Sequence, residues 1–196
     1  MKSVPVALWA APAILILTGP VAAAQFNTLP GVTGSRVGLM VQTDLEYGGD
    51  DLATVNFRNG DSQDVKAGQG IVVSGGLHFR PSDNTPFDVQ ALVGYKYATT
   101  AASNADINVS RVVLQLLGDY QFHNGVYLGG GLVRHNGTKL DGDGFFRNIE
   151  FDDATGYTIE SGWCWVGLRY THIKYENRFV SNVDGSNVGL RFNYRF

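Results

Sequence analysis

Along the last ten residues Val188, Leu190, Phe192, Tyr194 and Phe196 alternate with Asn187, Gly189, Arg191, Asn193 and Arg195, the period of a strand with one oily and one wet face. The same period recurs towards the N-terminus. It runs through Val37–Tyr47, Ile71–Arg80, Phe87–Tyr97, Arg111–Phe122 and Val126–Arg134, then through a strand ending in Tyr157–Trp163 and one covering Val166–Thr171. Polar stretches at Gly48–Gln69, Ala98–Asn108, His135–Asn148 and Glu176–Ser186 predict long loops. Pro81–Pro86, His123–Gly125 and the surroundings of Gly162 predict tight turns. Gly129-Gly130-Gly131 marks a bend within the fifth strand. Eight strands with alternating short and long connections put both termini at one end.

No helix-forming segment is available to cover the apolar stripes, whereas a bilayer would cover them. Only helices and closed barrels satisfy every backbone group in lipid, so the expected fold is all-β: an eight-stranded antiparallel transmembrane barrel in up-and-down order. A soluble ligand-binding barrel would instead carry an apolar interior and a polar exterior. Here the second face of the strands bears Asp44, Glu46, Arg80, Asp88, Lys96, Arg111, Asp119, Glu160, Arg169, Arg191 and Arg195. Eight strands enclose a lumen about filled by side chains, so these charges are expected to pair as a plug, and no porin channel is expected. Tyr47, Phe79, Phe87, Tyr97, Phe122, Trp163 and Phe196 stand near strand ends, where interfacial aromatic girdles form.

Met1-Lys2, the apolar run Val4–Leu17 and Ala22-Ala23-Ala24 fit a secretory signal over residues 1–24. The barrel domain would then occupy residues 25–196. One cysteine, Cys164, excludes an intramolecular disulfide. With 15 Lys plus Arg against 18 Asp plus Glu and no basic run, nucleic acid is excluded as a partner. A monomer is expected, and no cofactor or metal is implied. Asp141-Gly142-Asp143-Gly144 lacks the later Glu of a calcium loop, and Asn108-Val109-Ser110 and Asn136-Gly137-Thr138 read as loop residues despite fitting a glycosylation pattern.

The leader, the eight alternating strands and the terminal Tyr-Arg-Phe resemble the small outer-membrane barrels typified by the transmembrane domain of outer-membrane protein A. That resemblance implies a bacterial outer-membrane location and makes Phe192, Tyr194 and Phe196 the signal read by the barrel-assembly machinery. A narrower stretch, Val166–Phe196, is similar to the end of the outer-membrane lipid A deacylases, which carry a His-x-Ser pair on this strand and an acidic residue on the last one. His172 matches the histidine; Lys174 stands at the serine position, and the acidic position falls at Ser186 or Asn187. Ser186 or Ser181 would substitute only if folding brought one within reach of His172. Strand parity sends His172 and Lys174 outward near the loop end, where they would meet outer-membrane lipids and lipopolysaccharide phosphates. The leading expectation is a non-enzymatic envelope protein with interacting surface loops, and the alternative is a hydrolase centred on His172 with Ser186.

Overall fold

The structure is a computed structural model that describes residues 36–56, 62–82, 85–102, 105–141, 149–176 and 182–196. The leader at 1–24, residues 25–35 and Ser181 lie outside them. Eight long strands carry the fold: β1 (Arg36–Tyr47), β2 (Gly70–Arg80), β3 (Phe87–Ala102), β4 (Ala105–Gln121), β5 (Val126–Asp141), β6 (Ala154–Trp163), β7 (Val166–His172) and β8 (Asn187–Arg195). Each pairs antiparallel with its chain neighbours, and β1 pairs with β8 from Met40↔Arg195 to Tyr47↔Val188. The sheet closes on itself. With all eight strands hydrogen-bonded on both sides, the barrel body has no open edge.

The expected faces hold. Leu39, Val41 and Leu45 of β1, Val93 and Tyr95 of β3, Leu114 and Leu116 of β4, and Leu168 of β7 are exposed, while Gln42, Asp44, Lys96, Gln115, Asp119 and Arg169 are buried. The glycine run in β5 has a packing reason. A Cβ on Gly131 would lie 2.0 Å from the Leu116 carbonyl oxygen, so the close approach of β4 to β5 excludes a side chain there.

Three boundaries differ from the sequence reading. The described residues of the segments expected as loops at Ala98–Asn108 and His135–Asn148 are strand, because β3 and β4 pair as far as Ala102↔Ala105 and β5 runs on to Asp141. Polar composition marked them as loops, but a hairpin standing clear of an apolar solvent has polar strands. Asn108 and Asn136 consequently lie on paired strands and not in loops. The last tight turn sits at Cys164-Trp165, with Cys164 at φ 54°, while Gly162 still pairs with Gly167.

Two kinds of core fill the tube. Towards the turn end the filling is ionic. Arg169 donates from Nε and Nη2 to Glu160 Oε2 at 2.8 and 2.6 Å and from Nη1 to Gln115 Oε1 at 2.8 Å, with Asp44 Oδ2 at 3.2 Å. Arg191 pairs with Glu160 and donates to Gln90 Oε1 at 2.6 Å; Gln90 donates to Asp119, which also meets Arg195 at 3.3 Å. Asp88 takes His78 at 3.1 Å and Arg80 at 3.6 Å. The charges form a plug, as their alternation implied.

Towards the loop end the filling is apolar. Asp51–Asn56 pairs with Ser62–Lys66, and Lys174–Tyr175 pairs with Val183–Asp184. These hairpins bring Val65, Ala67, Ile173, Tyr175 and Val183 against Val72, Val113, Val133, Val109 and Leu140 on the inner wall, with Leu52 and Phe151 packed alongside. The first long loop therefore folds into the mouth. Its turn at Gly68 touches the last one so closely that a Cβ there would lie 2.6 Å from the Gly185 carbonyl oxygen.

Removing one partner of a buried ion network leaves charges without compensation, at about 3–5 kcal/mol. Arg169→Met, which leaves Asp44 without its cation and Glu160 with Arg191 alone, is expected to lower unfolding stability in detergent micelles by that amount. A urea titration followed by the shift in gel mobility of unheated samples measures it, and a midpoint unchanged from wild type would show that the network does not support the barrel.

Candidate functional site

Chemistry-bearing side chains gather in two places at the loop end. The first is on the outer rim, where β7 finishes and β8 begins. His172 is half-buried, with its ring centroid 5.1 Å from that of Tyr157 on β6. Its Nδ1 lies 2.9 Å from Ser186 Oγ, so folding brings together the two residues named for the hydrolase alternative. The sequence left open whether folding would bring Ser186 within reach of His172, and here it does. The loop between β7 and β8 folds back through the Lys174–Tyr175/Val183–Asp184 ladder, which returns Ser186 to the level of His172.

The third member was missed: Asp184 accepts the Ser186 backbone N–H at 2.8 Å. The Ser186 hydroxyl, together with that N–H, holds the Asp184 carboxyl below the usual carboxylate range. Asp-Gly-Ser is a sequence in which an aspartate bonds the backbone two residues on, and that was the available signal. The order of contacts matters for chemistry. A hydrolytic triad needs serine to histidine to carboxylate, with the imidazole accepting the hydroxyl proton and the carboxylate orienting the imidazole. Here the serine stands in the middle. His172 Nδ1 lies 2.9 Å from its Oγ, while Asp184 holds the Ser186 N–H and stands on the serine side, away from the imidazole it would have to orient. Lys174 stands opposite Asp184 in the ladder, exposed and outward.

The second place is inside the mouth. Lys96 pairs with Glu46 and donates to the Gly68 carbonyl at 2.7 Å. Arg111 donates to the Ala67 carbonyl at 2.7 Å and to Tyr175 Oη at 2.5 Å, and Tyr175 in turn reaches His135 Nδ1 at 2.5 Å. Below this cluster lies a small polar cavity that includes Glu46, Gln115, His135, Thr158, Arg169 and Thr171 in its wall. Alternation identified Lys96 and Arg111 as inward. It could not reveal that loop carbonyls would be their acceptors, because those come from a segment with no strand period.

Among the described residues no group of three His, Cys, Asp or Glu side chains could hold a metal ion. At the turn end Phe196 is exposed, its ring edge-on to Tyr194 at 4.9 Å and its N–H donating to the Leu39 carbonyl, while Phe192 stacks on Trp165. These three residues finish the ladder that closes the barrel.

By its own register the chain is a small closed eight-stranded barrel. No protein-family model matches it, and no curated protein matches it. Among solved structures it is similar to Ail, the attachment invasion locus protein of Yersinia pestis, at 13% identity over 83% of this chain and 99% of that chain, with a TM-score of 0.42. A likeness of that degree assigns no activity here.

The contact order at the rim makes a chemical prediction. Ser186 is expected to remain unlabelled by a fluorophosphonate probe that reacts with histidine-activated serines. Stoichiometric labelling that vanishes in His172→Ala, read by intact-protein mass spectrometry, would show an activated nucleophile and restore the hydrolase reading.

Proposed function

We propose that this chain spans a bacterial outer membrane as a closed barrel without a conducting pore or a catalytic centre, and that its capped loop end serves surface interaction and membrane integrity. One observation carries the reading. Thirty large apolar or aromatic side chains are exposed among the described residues, and they ring the barrel on all eight strands. A soluble monomer rarely exposes a contiguous apolar patch beyond a few hundred Å², whereas a membrane barrel requires an apolar band with aromatic girdles. Tyr47, Tyr97 and Tyr157 lie towards the loop end, and Phe87, Phe122, Trp163 and Phe196 towards the turn end. The turn end, with the start of β1 and the end of β8, then faces the periplasm. The ionic filling supports the absence of a pore.

On this reading Lys174, with His172 beside it, meets the headgroup region of the outer leaflet, where a long basic side chain keeps its charge in water and its stem against the apolar band. Lipopolysaccharide phosphates are its proposed partners. Asp184 opposite Lys174 weakens that attraction without removing it. Phe192, Tyr194 and Phe196 are proposed as the segment read by the barrel-assembly machinery, so Phe196→Ser should reduce the assembled protein in membrane fractions.

Depth supplies the sharpest test of location. Leu116→Arg and Leu190→Arg should each cost about 2–4 kcal/mol if both leucines face mid-bilayer lipid, and the wild-type protein should sediment with outer membranes. Recovery from the periplasm in soluble form would refute the assignment, as would leucine-to-arginine variants whose unfolding midpoints in lipid vesicles match wild type.

The headgroup contact predicts a smaller effect. An exposed ion pair is worth about 0.2–1 kcal/mol, so Lys174→Ala should weaken lipopolysaccharide association by less than about fivefold, with the difference shrinking as salt rises. Identical affinities at low salt would remove Lys174 from the contact. Mass spectrometry of lipid A from cells with and without the protein should show the same acyl chains.

A further inference from the structure

The cap over the mouth is tied to the barrel wall by one buried relay. Arg111 donates from Nη1 to Tyr175 Oη, which leaves the phenol proton for Nδ1 of His135. His135 is 1% exposed, and its ring stacks on that of Tyr175 with centroids 5.9 Å apart. Arg111 and His135 belong to β4 and β5 of the wall, whereas Tyr175 belongs to the returning loop, where it pairs with Val183. That loop carries Ile173 and Val183 into the apolar filling of the mouth. Gly185 packs on the Tyr175 ring so closely that a Cβ would overlap it, and the Gly68 turn of the first loop packs on Gly185 in the same way. Tyr175 therefore fastens both loops. His135 lies outward of the Tyr157 girdle, since Tyr157 pairs with Leu132 and His135 with Ala154.

The relay works only with a neutral imidazole. A protonated ring donates from both nitrogens, so Nδ1 would present a proton to an oxygen that already receives one from Arg111, and the phenol hydrogen would lose its acceptor. The surroundings oppose the charge as well. Arg111 faces the ring from β4, and Lys96 stands opposite Arg111 on β3. Arg169 on β7, itself paired with Glu160 and Asp44, shares the wall of the small cavity with His135. From β6 come Ala154 and Thr158, both uncharged. Among the described residues Glu46 on β1 is the one carboxylate on that wall, and Lys96 already engages it. In water, by contrast, a histidine takes up a proton below about pH 6.5. A state in which the loop has lifted and water reaches His135 binds a proton that the fastened state excludes, so the fastened state is favoured above that pH and loses ground as pH falls.

We propose that His135 is an acid-sensitive latch: when its imidazole takes up a proton, the Tyr175 loop lifts from the mouth and the first loop, whose Ala67 carbonyl shares Arg111 with Tyr175, loosens with it. The ionic plug around Arg169 and Arg191 stays in place beneath, so the change uncovers the mouth without opening a pore. The latch is independent of the His172 rim and of any lipid contact.

Amide hydrogen exchange on the full-length mature chain, folded in lipid vesicles, reads the change. After correction for the intrinsic rate at each pH, the amides of Ser62–Lys66 and Lys174–Tyr175 should lose protection between about pH 7.5 and about pH 5.5, either side of the ordinary histidine value. The open fraction should rise by at most about tenfold per pH unit, while Leu114 and Leu116 in the wall keep their protection. His135→Gln, whose side-chain oxygen accepts from Tyr175 but takes up no proton in this range, should stay protected at both pH values. Protection independent of pH in the wild type would overturn the proposal. So would a wild-type dependence retained in His135→Gln, which would assign the proton to another group such as Glu46. If that variant fails to fold or to latch, Tyr175→Phe decides the matter, because it keeps the ring and removes the hydroxyl. Its cap amides should exchange readily at both pH values, and wild-type protection at neutral pH refutes the latch.

Discussion

Closing eight strands into a tube leaves a lumen that side chains about fill, and every charge pointing into it must find its partner across that space. The arrangement around Arg169 and Arg191 follows from this constraint. Asp44 on β1, Gln115 on β4, Glu160 on β6 and Arg169 on β7 come from separate walls and meet near the axis. Burying these groups is costly unless each is paired, so the network tolerates only a register in which the partners face one another. A shift of one residue in any strand would turn its charges into the apolar surroundings and its leucines into the plug. The ionic interior therefore fixes register, while the backbone ladder and the outward stripe supply the drive to close.

The outward stripe is the other half of the same pattern. Because side chains alternate strictly, a strand that sends Asp, Gln or Arg inward must send whatever lies between them outward, and here those residues are Leu, Val, Ile and aromatics. This inversion of a soluble barrel was legible from single residues such as Leu190 between Gly189 and Arg191. Strand number, closure and facing were all written in the period of two. Strand ends were not. Beyond the apolar band the hairpins need no apolar face, so Thr99, Asn108 and Lys139 read as loop although their backbones stay paired.

The candidate site was legible only in part, for a related reason. His172 and Lys174 lie on a strand, and parity placed them outward correctly. Ser186 and Asp184 lie on a returning loop whose path depends on a two-residue ladder, Lys174↔Asp184 and Tyr175↔Val183, too short to leave a periodic trace. Proximity of a serine to a histidine was therefore open from the chain alone, and its chemical meaning was open even once proximity was known. The proposal of a non-catalytic rim rests on the position of Asp184, on the serine and not on the imidazole.

The two ends of the lumen meet the burial problem in opposite ways, and Arg111 sits where the solutions join. Below it, each cation has a carboxylate, on the neighbouring strand for Arg80 and Arg169 and across the lumen for Arg195. Above it, Ala67, Ile173, Tyr175 and Val183 fill the mouth with apolar surface, and the first hairpin's described carboxylates, Asp51 and Asp64, are exposed. A cation at that boundary can be solvated from above only by carbonyl and phenol dipoles, which is what Ala67 and Tyr175 provide. The turn around Gly68 is thus more than a cover. Its carbonyls complete the coordination of both Lys96 and Arg111, so the cap cannot leave the mouth without exposing two cations. That dependence ties the folding of the first long loop to the closure of the barrel wall beneath it.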